Sequence, residues 1–213
     1  PGARRRDPFA PGRLAALLPA GDYALGGEID DPGLAALAWL LQAYRFDRYR
    51  KPAPVAARLV LPDGVDGQDV SLIAQSVWLA RDLVNTPAND LGPAEIEAAI
   101  RALAEETGAR VASIVGDDLL PANFPMVHAV GRASPRAPRL VDLAWGDPAH
   151  PKVTLVGKGV AFDTGGLNLK PDASMLLMKK DMGGAAAAIA AARMIMLAGL
   201  PVRLRLLVPA VEN

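Results

Sequence analysis

Apolar side chains recur at helical spacing near the start of the chain. Asp31 and Pro32 form a typical helix start, with an acidic N-cap followed by proline in the first turn. Four side chains then form one apolar stripe, at Leu34, Leu37, Leu41 and Tyr44. The pattern predicts a helix that ends before Pro52, with Trp39 in a packing role. Residues 1–22, which are rich in proline and glycine, predict a loop with a short strand.

Further along the chain, stretches with helical spacing alternate with short β-branched stretches. A second helix is predicted over about residues 69–83, and a third from Pro93, with Gly108 suited to its C-terminal cap. A short helical turn is predicted at 124–132 and an alanine-rich helix at 182–198. The predicted strands are residues 55–61, 110–115, 140–145, 152–156 and 202–208.

The alternation of helices and strands after residue 93 predicts the fold class. We expect an α/β fold in which a mostly parallel sheet carries helices on both faces, preceded by the end of a smaller α/β domain. The expected boundaries are residues 1–68 for the smaller domain, 69–84 for a linking helix and 85–213 for the first part of the second domain.

Composition narrows the possible function classes. The chain holds 23 Lys plus Arg and 23 Asp plus Glu, so its net charge gives no reason to expect a nucleic acid as partner. No apolar run approaches the ~20 residues that span a bilayer, and no membrane association is expected. The first residues lack the apolar core of a secretion signal. The sequence has no cysteine, which excludes disulfides, thiolate metal ligands and a cysteine nucleophile.

Candidate chemistry is concentrated between residues 152 and 199, where charged side chains fall at the ends of predicted elements. Lys158 lies between two glycines just after a predicted strand, Asp163 comes two residues before Gly165, and Asp181 precedes the alanine-rich helix. Glycine lets a backbone turn sharply and approach a ligand closely. In open α/β sheets, ligands bind beyond the carboxyl ends of the strands, which is where these residues fall.

Each of these residues taken singly has an ordinary structural explanation. Asp163 suits a turn, Asp181 suits a helix N-cap, and Lys158 suits a surface position. In a straight strand, Lys158 and Asp163 would lie ~16 Å apart, at ~3.3 Å per residue, and would face opposite sides. They can share a site only if the chain bends between them, and Gly159 is the residue expected to permit that bend.

The combination of these residues is more specific than its parts. The segments VGKGVAFDTGGLNLKP (156–171) and KKDMGGAAA (179–187) closely resemble the leucyl aminopeptidase, or cytosol aminopeptidase, family of two-metal exopeptidases. The resemblance extends more loosely back to about Asn85 and, through LLQAYRFDRYRK, to about residue 38. It implies that residues 85–213 are the first part of a metallopeptidase catalytic domain.

The resemblance implies a role for five residues. Lys158, Asp163 and Asp181 match ligands of one metal ion, and Asp163 also bridges to a second ion. Lys170 matches the catalytic lysine, which stays protonated and stabilises the oxyanion of the tetrahedral intermediate. Met178 matches a residue that lines the pocket for the first side chain of the substrate, where a flexible thioether accommodates several apolar groups. All five are accordingly expected at the substrate-binding site.

The activity that the resemblance implies is removal of the N-terminal residue from peptides, with leucine and other apolar residues as expected targets. Two divalent metal ions, of Mn, Zn or Mg, would activate a water, orient the free amine of the substrate and polarise the scissile carbonyl. The family also implies a homohexamer. Together with the absence of cysteine, it implies a cytoplasmic location.

One part of the family pattern does not occur in the sequence. The motif Asn-Thr-Asp-Ala-Glu-Gly-Arg, which completes both metal sites and supplies a catalytic arginine in the family, is missing from residues 1–213. The expectation is that these residues are part of a longer or separately completed protein. By themselves they should lack a complete two-metal site.

Other functions compete with the aminopeptidase hypothesis. The letters DTG at 163–165 occur in aspartic proteases, but that class needs an all-β chain with a second such motif. The letters GKG at 157–159 suit a phosphate-binding module, but the P-loop spacing is missing. A non-catalytic assembly subunit with the aminopeptidase fold stays open. His128 and His150 are weaker metal candidates, since both lie away from the lysine–aspartate cluster in sequence.

Overall fold

The computed structural model describes residues 7–27, 29–51 and 56–213. Two units divide the chain: an N-terminal unit, Pro1–Trp78, and a C-terminal unit, Leu79–Asn213. The α-helices are α1 (Gly12–Leu17), α2 (Pro32–Ala43), α3 (Gly67–Asn85), α4 (Pro93–Thr107), α5 (Pro125–Gly131), α6 (Asp172–Met175) and α7 (Gly183–Leu197). The strands are β1 (Gly21–Tyr23), β2 (Ala57–Leu59), β3 (Arg110–Val115), β4 (Arg139–Trp145), β5 (Lys152–Val156), β6 (Gly159–Val160) and β7 (Arg203–Val211). None of the described helices is long and apolar enough to cross a bilayer.

Helix α2 of the N-terminal unit begins as predicted. Asp31 Oδ1 accepts a hydrogen bond from the backbone N–H of Leu34 at 2.8 Å, and Pro32 occupies the first turn. Trp39 is 2% exposed and packs with Ala15 and Ala57, which confirms its packing role. Strands β1 and β2 pair in parallel beside this small core. Val55, at the start of the predicted strand 55–61, lies outside the described residues.

The first residues differ from their prediction. Residues 12–17 form helix α1, where a loop was expected, and β1 follows as the expected short strand. Helix α1 packs against α2 so closely that a Cβ at Gly12 would overlap the backbone carbonyl of Ala38. A six-residue helix shows too little periodicity to be recognised from sequence, and packing against α2 stabilises it. Residues 1–6 lie outside the described part of the chain.

The sheet of the C-terminal unit is mixed, so the prediction of a mostly parallel sheet is wrong. The strand order is β3-β4-β7-β5, and β6 also pairs with β7. Strand β4 is antiparallel to both β3 and β7, whereas β5 and β6 are parallel to β7. Within this sheet, a crossover of the expected βαβ type is formed by β5, α7 and β7. The segment 146–151 between β4 and β5 is too short to hold a crossover helix, and the chain reverses its direction there.

The apolar core of the C-terminal unit lies on one face of this sheet. Helices α4 and α7 pack against each other and against that face. Its buried strand residues alternate along β4 and β7: Val141, Leu143, Leu204, Leu206 and Val208. The opposite face carries the ion pair between Asp142 and Arg205, and Val156, which is 67% exposed. Helices were predicted on both faces of the sheet, and α4 and α7 form the layer on one of them.

Several boundaries agree closely with the sequence. Helix α4 begins at Pro93, and Gly108 follows it in the left-handed conformation, with φ of 70°. Strands β3 and β5 have the predicted limits. The proposed domain boundaries after residues 68 and 84 stay predictions, and both fall inside α3 (Gly67–Asn85).

A buried carboxylate joins α4 to β3 and β4. Glu97 is 8% exposed, and its oxygens accept hydrogen bonds from Ser113 Oγ, Arg101 Nη2 and Arg139 Nη1 at 2.6–2.7 Å. Burial by itself would raise the pKa of Glu97. The hydrogen bonds from Ser113, Arg139 and Arg101 outweigh that effect and lower the pKa to about 2. The charged carboxylate therefore stabilises the contact between helix and sheet.

We expect Glu97→Gln to lower the free energy of unfolding at pH 7 by about 2–4 kcal/mol, because it leaves two arginines without their counter-ion. Since the pKa of Glu97 is depressed on folding, its contribution is complete above the ordinary value of 4.5 and is lost as the pH falls toward about 2. Urea unfolding of the 213-residue chain at pH 7 and pH 3 measures both effects. Glu105→Gln, at an exposed position of α4, is the matched control. An equal loss for the two variants would contradict this account.

Candidate active site

The backbone around Lys158 is an interruption between two strands that lie in one line. Strands β5 and β6 both pair with β7 in the same register, with Val156 opposite Leu207 and Gly159 opposite Ala210. The predicted bend at Gly159 is therefore wrong. Gly159 is required for a different reason: a Cβ there would lie 2.6 Å from the carbonyl oxygen of Pro209 on β7. Gly157 N–H still donates a hydrogen bond to the carbonyl of Leu207 at 2.9 Å, so the pairing with β7 is interrupted at Lys158.

Helix α7 begins directly against this interruption. A Cβ at Gly157 would lie 2.6 Å from the Cα of Ala185, and a Cβ at Gly184 would lie 3.1 Å from the backbone nitrogen of Lys158. Ala185 N–H also donates a hydrogen bond to the carbonyl of Lys158 at 2.9 Å. The missing side chains at both glycines allow this approach, which brings the start of α7 next to Lys158.

Asp181 lies in the 3₁₀ turn Met178–Met182, which leads into α7. The helix has Met182 as its N-cap, so Asp181 serves a different purpose from the N-cap role weighed in sequence. Its side chain is 17% exposed, and Oδ1 accepts a hydrogen bond from Lys158 Nζ at 2.9 Å. Oδ2 is buried and lies 2.8 Å from the same nitrogen, so the ammonium of Lys158 is its one partner among the described residues. Asp181 thus directs a carboxylate at Lys158.

Asp163 follows β6 and begins a glycine-rich loop. Gly165 and Gly166 have φ angles of 84° and 101°, a conformation that favours glycine. Asp163 Oδ1 accepts a hydrogen bond from Gly165 N–H at 2.8 Å, and Oδ2 lies 2.7 Å from Lys170 Nζ. The interaction with Lys170, followed by the one with Gly165, holds the pKa of Asp163 below its ordinary value, and the charge of Lys158 adds to this effect. Asp163 is therefore held as a carboxylate.

Lys170 closes the same loop and also contacts Met178. The Nζ of Lys170 lies 3.1 Å from Met178 Sδ, and its backbone N–H donates to the carbonyl of Thr164 at 3.0 Å. The side chains of Lys170 and Asp163 are 27% and 25% exposed, so both remain accessible from solvent. Met178 is partly buried at the start of the turn that carries Asp181.

The structure brings all five predicted residues to the carboxyl ends of β5 and β6. They form two ion pairs, Lys158 with Asp181 and Lys170 with Asp163, and the second pair also contacts Met178. A cavity of about 400 Å³ lies at the opposite end of the sheet, where Lys152 begins β5, and holds none of the five.

The two histidines are not part of this cluster. His128 Nε2 lies 3.0 Å from Asp117 Oδ1, on the segment between β3 and β4, and His150 follows a turn after β4. Over the described residues, no three side chains of His, Asp or Glu gather into a metal-binding group.

The donor set fits part of a metal site. Two carboxylates and one amine suit a divalent cation, provided that the amine of Lys158 is neutral. The buried Oδ2 of Asp181 already contacts a cationic group, the ammonium of Lys158 at 2.8 Å, and a metal ion would replace that contact. Three such donors leave open positions even on a single four-coordinate ion, and two ions require ligands beyond this set.

One residue at this site carried no signal in the sequence. Asn213 Oδ1 accepts hydrogen bonds from the N–H and Oγ1 of Thr164, at 3.2 and 2.8 Å, and from Gly166 N–H at 3.0 Å. Forty-seven to 49 residues separate these partners in sequence, and only the pairing of β6 with β7 brings them together.

Comparison with known proteins gives consistent matches for both units. Residues 78–213 match the cytosol aminopeptidase family, catalytic domain, and residues 2–62 match the M17 aminopeptidase N-terminal domain. A probable cytosol aminopeptidase of Rhodococcus opacus is 38% identical over 200 residues, which cover 86% of this chain and 40% of that protein.

Solved structures agree with these sequence matches. The crystal structure of cytosol aminopeptidase from Coxiella burnetii superposes with a TM-score of 0.90 at 49% identity, covering 98% of this chain and 47% of that one. The bottromycin maturation enzyme BotP in complex with Mn has a TM-score of 0.84 at 37% identity, covering 97% of this chain and 47% of that one. The chain thus spans less than half the length of these relatives.

The contact between Gly157 and α7 generates a test of the site geometry. We expect Gly157→Ala to destabilise the protein by about 1–3 kcal/mol, because a Cβ overlaps the backbone of Ala185 and forces the helix away from Lys158. Urea unfolding measures the loss. Gly26→Ala is the control, since a Cβ there contacts no described atom within 4 Å. Unchanged stability of Gly157→Ala would show that the helix adjusts freely.

Proposed function

Because the chain belongs to the cytosol aminopeptidase family, we propose that it forms the first part of a metal-dependent aminopeptidase that removes the N-terminal residue of peptides. The proposal concerns a protein in which the rest of the family's catalytic domain completes this chain, since the chain spans less than half of its relatives. The observation that supports this proposal is a set of two ion pairs, Lys158 with Asp181 and Lys170 with Asp163.

Lys158, Asp163 and Asp181 are the residues that would hold divalent metal. When bound, two such ions would lower the pKa of a coordinated water and polarise the carbonyl of the scissile bond. Manganese is the first candidate, because a related enzyme structure contains it, and zinc and magnesium also suit carboxylate ligands. To act as a ligand, Lys158 would exchange its ion pair with Asp181 for the metal, and Asp163 would contribute its carboxylate to the same site.

Lys170 has a different role in this proposal. Its Nζ lies 2.7 Å from Asp163 Oδ2, so it contacts one of the proposed ligands without being counted among them. From there it would hold a proton and donate a hydrogen bond to the oxygen that becomes negative when the scissile carbonyl is attacked. Its contact with Met178 Sδ fixes the direction of the side chain.

Met178 would supply the selectivity for the residue that is removed. A flexible thioether adapts to apolar side chains of several shapes, and leucine is therefore a favoured first residue. The family further suggests peptides as substrates, a homohexameric assembly and a cytoplasmic location for the completed protein. These properties of the whole protein are part of the proposal.

The roles of the two lysines can be separated by mutation in a completed protein. In this protein the remaining part of a family member's catalytic domain follows Asn213. We expect Lys158→Ala to lose metal, because it removes a ligand. We expect Lys170→Ala to keep its metal and to lower kcat by ~10²–10³, the usual cost of one oxyanion donor. Lys170→Arg should recover only part of this loss, since a planar guanidinium does not replace a compact ammonium.

Elemental analysis and steady-state kinetics with a leucine amide measure these effects together. Lys152→Ala, at the opposite end of β5, is the control for loss of a lysine outside the site. The assignment is reversed if Lys170→Ala loses metal while Lys158→Ala retains it and loses only kcat. A completed protein that binds peptides without any turnover would favour the non-catalytic assembly subunit.

Residues 1–213 alone provide a second test. We expect no turnover of leucine amide substrates by the purified chain at any metal concentration, because the second ligand set and the catalytic arginine of the family motif are not among these residues. The measurement is hydrolysis with and without added Mn²⁺ or Zn²⁺, after removal of contaminating peptidases. Turnover that persists and is abolished by Lys170→Ala would show that the missing motif is dispensable.

A further inference from the structure

The loop between Asp163 and Lys170 has little packing of its own. Residues 165–169 are all exposed, and the side chains of Leu167 and Leu169 are 86% and 74% exposed. Gly165, Gly166 and Asn168 adopt positive φ angles, so the loop depends on contacts that fix an uncommon backbone path. Any site that includes Asp163 and Lys170 therefore requires contacts that hold this loop in place.

Asn213 is positioned to supply these contacts. Backbone hydrogen bonds continue the pairing of β6 and β7 beyond the strands, from Ala161 N–H to the carbonyl of Val211 at 2.8 Å and from Asn213 N–H to that of Phe162 at 3.1 Å. This pairing fixes the backbone of Asn213 beside the start of the loop. Its side-chain oxygen then accepts the three hydrogen bonds from Thr164 and Gly166 described above.

We propose that Asn213 is a positioning residue, whose side-chain oxygen holds the segment Thr164–Gly166 so that Asp163 and Lys170 meet at the site. The effect on catalysis rests on the proposed function. The clamp itself, by which we mean the three hydrogen bonds to Asn213 Oδ1, does not depend on it. The loop also has three hydrogen bonds of its own, from Lys170 N–H to Thr164 O, from Gly165 N–H to Asp163 Oδ1 and from Thr164 Oγ1 to Gly166 O. All three lie within the loop, so none of them joins it to the sheet.

Thr164 is the point at which the clamp acts on both functional residues. It directly follows Asp163 in the chain, and its carbonyl accepts the backbone N–H of Lys170 at 3.0 Å. A displacement of Thr164 therefore moves a proposed metal ligand and the proposed oxyanion donor together. Since small misplacements of catalytic groups cost ~10²-fold in rate, a clamp at this position affects turnover without contacting substrate.

The neighbouring side chain has a separate task and provides a control. Glu212 Oε2 accepts a hydrogen bond from Ser134 Oγ at 3.0 Å and lies 3.5 Å from Arg136 Nε. These contacts join the end of β7 to the segment before β4. Ser134→Ala thus perturbs the same chain segment without removing a hydrogen bond from Thr164 or Gly166.

Amide hydrogen exchange of the 213-residue chain, measured by NMR, tests the clamp directly. We expect Asn213→Leu to accelerate exchange at Thr164 and Gly166 at least ~10-fold, because both amides lose their acceptor while the core strands stay protected. Asn213→Asp keeps an acceptor of the same shape and should restore slow exchange. Ser134→Ala should leave both amides unchanged. Should Asn213→Leu not fold, Asn213→Ala removes the same acceptor with a smaller side chain.

Kinetics of the completed protein give the second measurement. Asn213→Leu should lower kcat ~10–100-fold with little change in KM, and Asn213→Asp should recover most of it. Unaltered exchange at Thr164 and Gly166 in both Asn213→Leu and Asn213→Ala would overturn the proposal, as would equal rates for the Leu and Asp variants. If the completed wild-type protein shows no peptidase activity, the proposed function fails, while the exchange data still decide whether Asn213 holds the loop.

Discussion

The arrangement of the C-terminal unit depends on how closely α7 can approach the interruption between β5 and β6. A Cβ at Gly157 would overlap the backbone of Ala185, and a Cβ at Gly184 would press against the backbone of Lys158. A hydrogen bond from Ala185 N–H to the carbonyl of Lys158 stabilises this contact. Because the helix axis and the strand are fixed at this point, the turn that precedes α7 is fixed with them. Asp181 on that turn therefore reaches Lys158, although 23 residues separate the two in sequence.

The charged residues at this end of the sheet pair with one another. Each aspartate of the cluster faces one lysine, so the four formal charges balance. The lysines differ in environment: Lys158 is 58% exposed at its side chain, whereas Lys170 is 27% exposed and lies against a thioether. The more exposed lysine is free to change partners at low cost, and the less exposed one is held in one direction. This difference in exposure agrees with the proposed roles, in which Lys158 is a metal ligand and Lys170 donates a hydrogen bond to the oxyanion.

Local signals in the sequence predicted those elements that local interactions determine. Pro93 and Gly108 marked both ends of α4, and the β-branched stretch of β5 had its limits predicted to the residue. The direction of the strands was mispredicted, because it depends on β7 pairing with β4 more than 60 residues earlier, where Asp142 and Arg205 meet. Helix α1 was missed because it is stabilised chiefly by its contact with α2.

At the candidate site, too, the sequence did not predict the features that depend on contacts between distant residues. Lys158, Asp163, Lys170, Met178 and Asp181 were singled out by family resemblance, and the structure gathers them at one end of the sheet. Their pairing could not be derived, since it needs the glycine contact with α7 and the loop conformation at Gly165 and Gly166. Gly159 was assigned a bend, whereas it provides room for the backbone of β7.

The position of β7 also has a consequence for how the chain folds during synthesis. This strand lies between β4 and β5 in the sheet, yet it follows both in sequence. The antiparallel pair of β3 and β4 can form before β7 leaves the ribosome, but β5 joins the sheet only through β7 and must wait for residues 203–211. Until then, Leu155 and the side of α7 that packs on β7 are exposed. Chaperones that bind short apolar segments would therefore find their target within a defined interval, between the emergence of α7 and that of β7.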